Sequence, residues 1–122
     1  MRSPALTAAL LMSASLAGAA GGDAGRGKDA YEARCGGCHS VAADRAGPRH
    51  AGVVGRRAGS VAGFAYSEAL RKSGLTWTTE TLERWLADPE ALVPGQRMGY
   101  SLGDAQARAD IVAYLSTLGR DR

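Results

Sequence analysis

The sequence predicts one small all-α domain, and three features of the chain lead to that prediction. Two segments with helical periodicity lie near the ends of the chain, at residues 27–35 and 104–118. No segment shows the alternating apolar and polar pattern of a convincing β-strand. Residues 40–63 are rich in glycine and arginine and lack periodicity, which predicts a long loop. A loop of that length in a compact domain is expected where the chain wraps around a large bound group.

The first and last predicted helices have faces that fit each other. In the first, Gly27, Tyr31 and Cys35 recur at helical spacing. The last begins after Asp104 and ends at Gly119. Its apolar stripe consists of Ala107, Ile111, Tyr114, Leu115 and Leu118. Because glycine has no side chain, Gly27 should let the two backbones approach closely, with the tyrosine of the stripe beside it.

Two shorter helices are predicted between them. Residues 66–73 form one, which the following glycine closes. Thr78 and Thr79 are both suitable N-caps for the second, which runs to about Ala87 and carries two glutamates near its positive end. Pro89 is expected to end it. Its apolar stripe consists of Leu82, Trp85 and Leu86.

The N-terminal segment has the pattern of a secretory signal peptide. A short basic lead precedes an apolar run, and small residues at Ala17 and Ala19 fit a cleavage site. An uncleaved membrane anchor is the alternative, but a spanning helix needs about 20 strongly apolar residues, and serines and a glycine dilute this run. We therefore expect residues 1–20 to be the signal peptide and residues 21–122 to form the domain, with 21–26 as a mobile leader.

A five-residue motif, Cys35-Gly36-Gly37-Cys38-His39, carries the chemistry. Two cysteines two positions apart, followed directly by histidine, are the attachment signature of a c-type haem. A structural zinc site is disfavoured because it needs four ligands, usually in two separated pairs, and the chain has only His50 to add. A thioredoxin-like redox pair would need βαβ patterning, and a plain disulfide would leave the histidine without a role. The motif predicts one covalently attached haem c, with His39 as an axial ligand of its iron.

The second axial position has one strong candidate. Met98 is the only methionine outside the predicted signal peptide, and it lies in the turn-forming stretch 93–98. Methionine in that position raises the reduction potential and favours electron transfer. His50 is the rival, but it lies so soon after His39 that reaching the opposite face of the ring would be difficult. We expect His50 to pack near the haem edge or to face solvent.

With these residues in hand, the chain resembles a class I cytochrome c of the mitochondrial and bacterial type. The similarity covers residues 27–115 and rests on the order and spacing of six stretches. They read CGGCH, GPRHAGVVGRRAG, GFAYSEAL, GLTW, PGQRM and RADIVAYL. The resemblance implies the small cytochrome c fold, with short helices and loops wrapped around one haem.

The resemblance also implies roles for residues around the haem. The carbonyl of Pro48 would accept a hydrogen bond from the outer ring nitrogen of His39, which orients that ligand. Arg56, Tyr66 and Trp77 would surround the haem propionates, since buried carboxylates need charge-assisted partners.

Several positions depart from the family pattern. Trp85 stands where most members have a tyrosine that hydrogen-bonds the methionine sulfur, and Leu70 replaces an asparagine of the same network. Gln96 replaces a threonine that helps to hold a propionate, and His50 replaces a leucine. Arg97 stands at a position that is usually lysine, and the segment after the haem motif is shorter than in mitochondrial members. These differences predict a less well supported methionine ligand.

The function expected from this resemblance is electron shuttling by a soluble, monomeric, periplasmic protein rather than catalysis. Its redox partners would be a quinol-oxidising complex, an oxidase, a reaction centre or a periplasmic dehydrogenase, so it would serve a respiratory or related chain. A haem enzyme or a gas or peroxide sensor, in which the methionine dissociates, is the alternative. The net charge of +3 is mild and no basic run occurs, so nucleic-acid binding is not expected.

Overall fold

The computed structural model describes residues 21–119, which form five α-helices and loops. The helices are α1 (Ala24–Arg34), α2 (Glu68–Lys72), α3 (Thr79–Ala87), α4 (Pro89–Leu92) and α5 (Ala105–Ser116). Within the described residues the only β pairing is an isolated bridge between Arg57 and Thr76. The predicted all-α class is therefore confirmed. The predicted signal peptide, residues 1–20, lies outside the described residues.

The first helix begins earlier than predicted. The side chain of Asp23 accepts a hydrogen bond from the backbone of Arg26 and caps α1, which therefore starts at Ala24 rather than Gly27. The Asp23 backbone also donates to the Asp110 carboxylate at 2.8 Å. Ala24 to Arg26, which the sequence analysis assigned to a leader at 21–26, are therefore part of α1. Sequence reasoning missed this cap because Asp23 lies in a glycine-rich stretch, and glycine is unfavourable in a helix.

Helices α1 and α5 cross at Gly27, as predicted. A Cβ atom on Gly27 would lie 1.9 Å from the carbonyl oxygen of Asp110 and 2.9 Å from the Cβ of Tyr114. Two helix backbones can approach this closely only because the residue at the crossing is glycine. The crossing fixes the position at which α1 delivers the haem motif.

The N-caps determine where α3 and α4 begin. Thr78 and Thr81 form a capping box at the start of α3, which settles the choice between the two threonine N-caps. Pro89 does more than end α3: with Asp88 as N-cap, it occupies the first turn of α4, a short helix that the sequence analysis missed. Proline is well tolerated there because its missing N–H would be unpaired in any case.

The predicted loop at residues 40–63 contains no helix in the structure. It is held by hydrogen bonds to distant segments, from Gly52 N–H to the Leu118 carbonyl (3.1 Å) and from Gly55 N–H to the Trp77 carbonyl (2.7 Å). The core joins this loop to the helices through Tyr31, Val53, Ala58, Trp77, Leu82, Trp85, Leu86, Val93, Leu102, Ile111, Val112 and Leu115. None of the helices in the described range is long and apolar enough to cross a bilayer.

Candidate functional site

One cavity brings together every residue that the sequence assigned to the site. Its volume is about 430 Å³, within the size range of ligand and cofactor pockets. The eight predicted residues that line it are Cys35, Cys38, His39, Pro48, Arg56, Tyr66, Trp77 and Met98. They come from the end of α1, the long loop, the segments around α2 and α3, and the stretch before α5. The fold therefore gathers distant parts of the chain around one space.

The haem motif forms a tight turn that continues α1. The backbone N–H groups of Cys38 and His39 both donate to the Cys35 carbonyl, at 3.1 and 2.9 Å. Arg45 holds this turn from outside, because its guanidinium donates to the carbonyls of Gly36 (2.6 Å) and Gly37 (3.3 Å). Sequence reasoning missed Arg45, since nothing in its neighbourhood shows that its side chain reaches back to the motif.

The two cysteines are free in the structure and differ in environment. Cys38 is exposed, whereas Cys35 is partly buried, and burial raises the pKa of the Cys35 thiol to about 11. Neither thiol is committed to a disulfide, so both are available for addition to a porphyrin.

His39 is oriented for ligation. Its Nδ1 lies 2.9 Å from the carbonyl oxygen of Pro48, the residue to which the resemblance assigns this contact. Because a carbonyl can only accept, Nδ1 carries the hydrogen and Nε2 keeps its lone pair. Burial lowers the pKa of His39, so the ring is neutral, as a metal ligand must be. Gly47 leaves room for it, because a Cβ there would lie 2.1 Å from the His39 Cε1.

His50 packs directly against His39. The two imidazole rings are stacked, with centroids 4.1 Å apart and planes 20° from parallel. The Nδ1 of His50 lies 2.8 Å from the hydroxyl oxygen of Tyr31. Burial, with the neighbouring His39 and Arg56, lowers the pKa of His50 to about 3, so this ring is neutral as well. His50 therefore supports the histidine side of the cavity and is not placed to ligate from the opposite side.

Arg56, Tyr66 and Trp77 line another part of the cavity. The Arg56 guanidinium donates to the Arg49 carbonyl at 2.7 Å, and burial lowers the pKa of Arg56. The Tyr66 hydroxyl accepts from the Val61 backbone at 3.0 Å. A cation and a phenol beside each other in a half-buried pocket are suited to hold carboxylates.

Hydrogen bonds from two side chains, those of Glu90 and Gln96, hold the loop that carries Met98. The Glu90 carboxylate accepts from the Gly95 backbone (2.9 Å) and from the Gln96 amide (3.1 Å). Gln96 in turn accepts from the Gly99 backbone at 3.1 Å, and its side chain does not line the cavity. Gln96 therefore supports the loop and does not form part of the cavity wall. Sequence reasoning did not find Glu90.

The methionine itself is partly buried and packs on the core. Leu70 and Trp85 share the cavity wall with Met98. Among residues 21–119, no side chain or backbone group donates a hydrogen bond to its sulfur. The departures from the family pattern noted at these two positions therefore coincide with a thioether that lacks a donor.

The residues present fit a haem c. Two free thiols and an oriented imidazole lie along one part of a cavity that also has a thioether, arginines and aromatic side chains on its walls. Thiols, an imidazole and a thioether are groups that can hold an iron porphyrin.

Comparisons with known proteins show the family. The cytochrome c family model matches residues 24–119. Cytochrome c2 of Blastochloris viridis is 37% identical over 115 residues, which cover 91% of this chain and 90% of that protein. Cytochrome c2 of Rhodomicrobium vannielii is 44% identical over 114 residues, covering 90% and 89%. The structure of cytochrome cH from Methylobacterium extorquens matches with a TM-score of 0.75 at 46% identity, covering 79% of this chain and 99% of that one. The chain therefore belongs to the class I cytochrome c family.

Proposed function

We propose that this protein is an exported electron carrier that shuttles one electron between redox partners in the periplasm, with His39 and Met98 as axial ligands of its haem iron. As a family member it is a single-haem c-type electron carrier. The observation that carries the finer proposal is the convergence of all eight expected side chains on one cavity.

Each of the residues proposed to hold the haem would have a separate role. Cys35 and Cys38 would form the thioether bonds, and His39 would offer Nε2 to the iron because Pro48 occupies its other nitrogen. Met98 would supply a further ligand. A bound haem would supply one-electron redox chemistry, and thioether ligation favours a high reduction potential. With these ligands provided by the chain, no substrate would need to bind and little would have to rearrange.

The surrounding residues set the polarity of the site. Trp77 and Trp85 pack edge to face, with centroids 5.3 Å apart, and keep part of the wall apolar. Arg56 would provide positive charge for the haem propionates. A cation held beside a largely apolar wall would influence the reduction potential, because charges interact more strongly away from water.

Docking would use the surface where the haem edge reaches solvent. Cys38 and Arg97 line the cavity and are exposed, so this rim can contact a partner. A weak, transient interface is small, and Arg97 would influence the association rate more than the lifetime of the complex. The partner would be a quinol-oxidising complex, an oxidase, a reaction centre or a periplasmic dehydrogenase, with the carrier acting as a monomer. Export rests on the pattern of residues 1–20.

A second function, peroxide or gas binding after loss of Met98, is favoured by one observation. Within the described residues the sulfur accepts no hydrogen bond, and Trp85 and Leu70 offer none. A ligand held only by its bond to the metal exchanges more easily.

The test uses the full chain, exported and loaded with haem. Voltammetry should show a reversible one-electron couple, and oxidation of a dye by hydrogen peroxide should be slow. The matched variant Met98→Ala opens one axial position and should oxidise the dye at least tenfold faster. Fast peroxide turnover by the wild type, equal to that of Met98→Ala, would instead support the second function.

A further inference from the structure

A hydrogen-bonded pair, Tyr31 and His50, lies behind the haem-binding histidine. Tyr31 comes from α1 and is 4% exposed, and His50 comes from the long loop nineteen positions later. Their polar atoms are 2.8 Å apart, and their rings meet edge to face at 5.5 Å. A largely buried imidazole is destabilising unless it finds a hydrogen-bond partner, and the Tyr31 hydroxyl is that partner.

Both partners of this hydrogen bond are uncharged. Burial raises the pKa of Tyr31, so its hydroxyl keeps its hydrogen. Within the described residues that hydroxyl has no other hydrogen-bond partner, and no buried side-chain polar atom there is left unpaired. The bond therefore joins a neutral phenol to a neutral imidazole, with the hydroxyl or Nδ1 as donor according to the tautomer of His50.

His50 in turn restrains His39. The hydrogen bond to Pro48 fixes one edge of the His39 ring. The stacked His50 ring, 4.1 Å away and 20° from parallel, restricts rotation of the His39 plane. Tyr31 itself is held at the crossing of α1 and α5, where its ring packs on Tyr114 with centroids 5.3 Å apart.

We propose that Tyr31 is a positioning residue that acts through His50 to set the orientation of the His39 imidazole plane at the haem. This inference rests on the proposed ligation by His39. The plane of an axial imidazole determines how unpaired electron density is distributed over the porphyrin. The helix crossing is thereby connected to the electronic structure of the haem, through two hydrogen-bonded side chains and one ring stack.

The test is proton NMR of the oxidised holoprotein, in which the four haem methyl resonances report the orientation of the axial imidazole. Tyr31→Phe removes only the hydroxyl and should shift these resonances and change their spread. His50→Leu should shift them too. In the double variant Tyr31→Phe/His50→Leu, the shifts should equal those of His50→Leu alone, because the hydroxyl acts only through His50.

Tyr114→Phe is the matched control. It removes a hydroxyl from the ring that packs on Tyr31 but does not touch His50, and it should leave the methyl resonances in place. Unchanged resonances in Tyr31→Phe, or additive shifts in the double variant, would overturn the proposal. Failure of the proposed ligation would look different, because the wild-type spectrum itself would then lack the signals of a coordinated imidazole.

Discussion

The carbonyl oxygen of Asp110 occupies the space that a side chain on Gly27 would need. A Cβ atom on Gly27 would lie only 1.9 Å from that oxygen, and the obstacle is backbone rather than a movable side chain. The contact joins α1, which carries the haem motif, to α5. The close approach of the two helices therefore depends on this glycine.

Gly27→Ala should force the two helices apart. We expect a loss of about 3 kcal/mol or more in the free energy of unfolding, measured with denaturant on the holoprotein, at the upper end of overpacking effects. The control is Gly25→Ala on the same helix, where a Cβ would meet only the end of the Asp23 side chain at 3.2 Å. That variant should be neutral or up to about 1 kcal/mol more stable. Equal stability of the two variants would mean that the crossing tolerates a side chain.

The Asp110 carboxylate should make the protein sensitive to acid. Hydrogen bonds from Arg26, the Asp23 backbone and Gln106 hold its pKa at about 2, below the ordinary value of 3.8. Because the folded pKa is depressed, this stabilisation is complete above pH 3.8 and is lost as the pH falls towards 2. Asp110→Asn should therefore be less stable than the wild type at pH 7, by an amount that shrinks between about pH 4 and pH 2.

Denaturant unfolding of both proteins across that pH range measures the effect. The control is Asp29→Asn, which removes an exposed carboxylate of α1 outside this network and should have the same pH dependence as the wild type. A difference between Asp110→Asn and the wild type that stays constant from pH 7 to pH 2 would contradict the prediction.

Gly47→Ala should disturb the axial histidine without touching the thiols. A Cβ there would lie 2.1 Å from the Cε1 of His39, so the ring has to move away from its place. Haem should still be attached, as judged by haem staining after denaturing electrophoresis, while the absorption spectrum loses its low-spin form. Gly37→Ala is the control, because no atom lies within 4 Å of a Cβ at that position. A low-spin spectrum in Gly47→Ala would show that His39 is not held where the structure has it.

The proposed bond between Met98 and the iron should break at mildly alkaline pH. The sulfur has no hydrogen-bond donor among residues 21–119, and Trp85 cannot supply the hydroxyl that a tyrosine would. We expect the weak long-wavelength band of thioether ligation to disappear at mildly alkaline pH, followed by absorption in a pH titration. Trp85→Tyr should move this loss to higher pH, whereas Trp85→Phe, which removes the indole without adding a hydroxyl, should not. Persistence of the wild-type band to strongly alkaline pH would refute the prediction.

The parts of this protein that the sequence predicts are those with a fixed local pattern. The haem motif is defined by the spacing of five consecutive residues, and the last helix has a regular apolar stripe. Gly27 was identifiable because a helix that must pack closely needs a small residue at the contact. The eight cavity residues followed from these patterns and from the family resemblance.

The parts that were missed depend on side chains meeting across the fold. Arg45 reaches back to the haem motif, and Glu90 supports the methionine loop through Gln96. His50 was noticed as a departure, but its partner Tyr31 lies nineteen positions away on a helix. No periodicity relates such residues, because the distance between them is set only when the whole chain has folded.

The most direct test of the account is an absorption spectrum of the holoprotein, oxidised and reduced, repeated under carbon monoxide. Ligation by His39 and Met98 predicts a thioether band in the oxidised form, a sharp c-type reduced spectrum and no response to carbon monoxide. A clear shift under carbon monoxide would contradict that account, because it would show that the position assigned to Met98 is open.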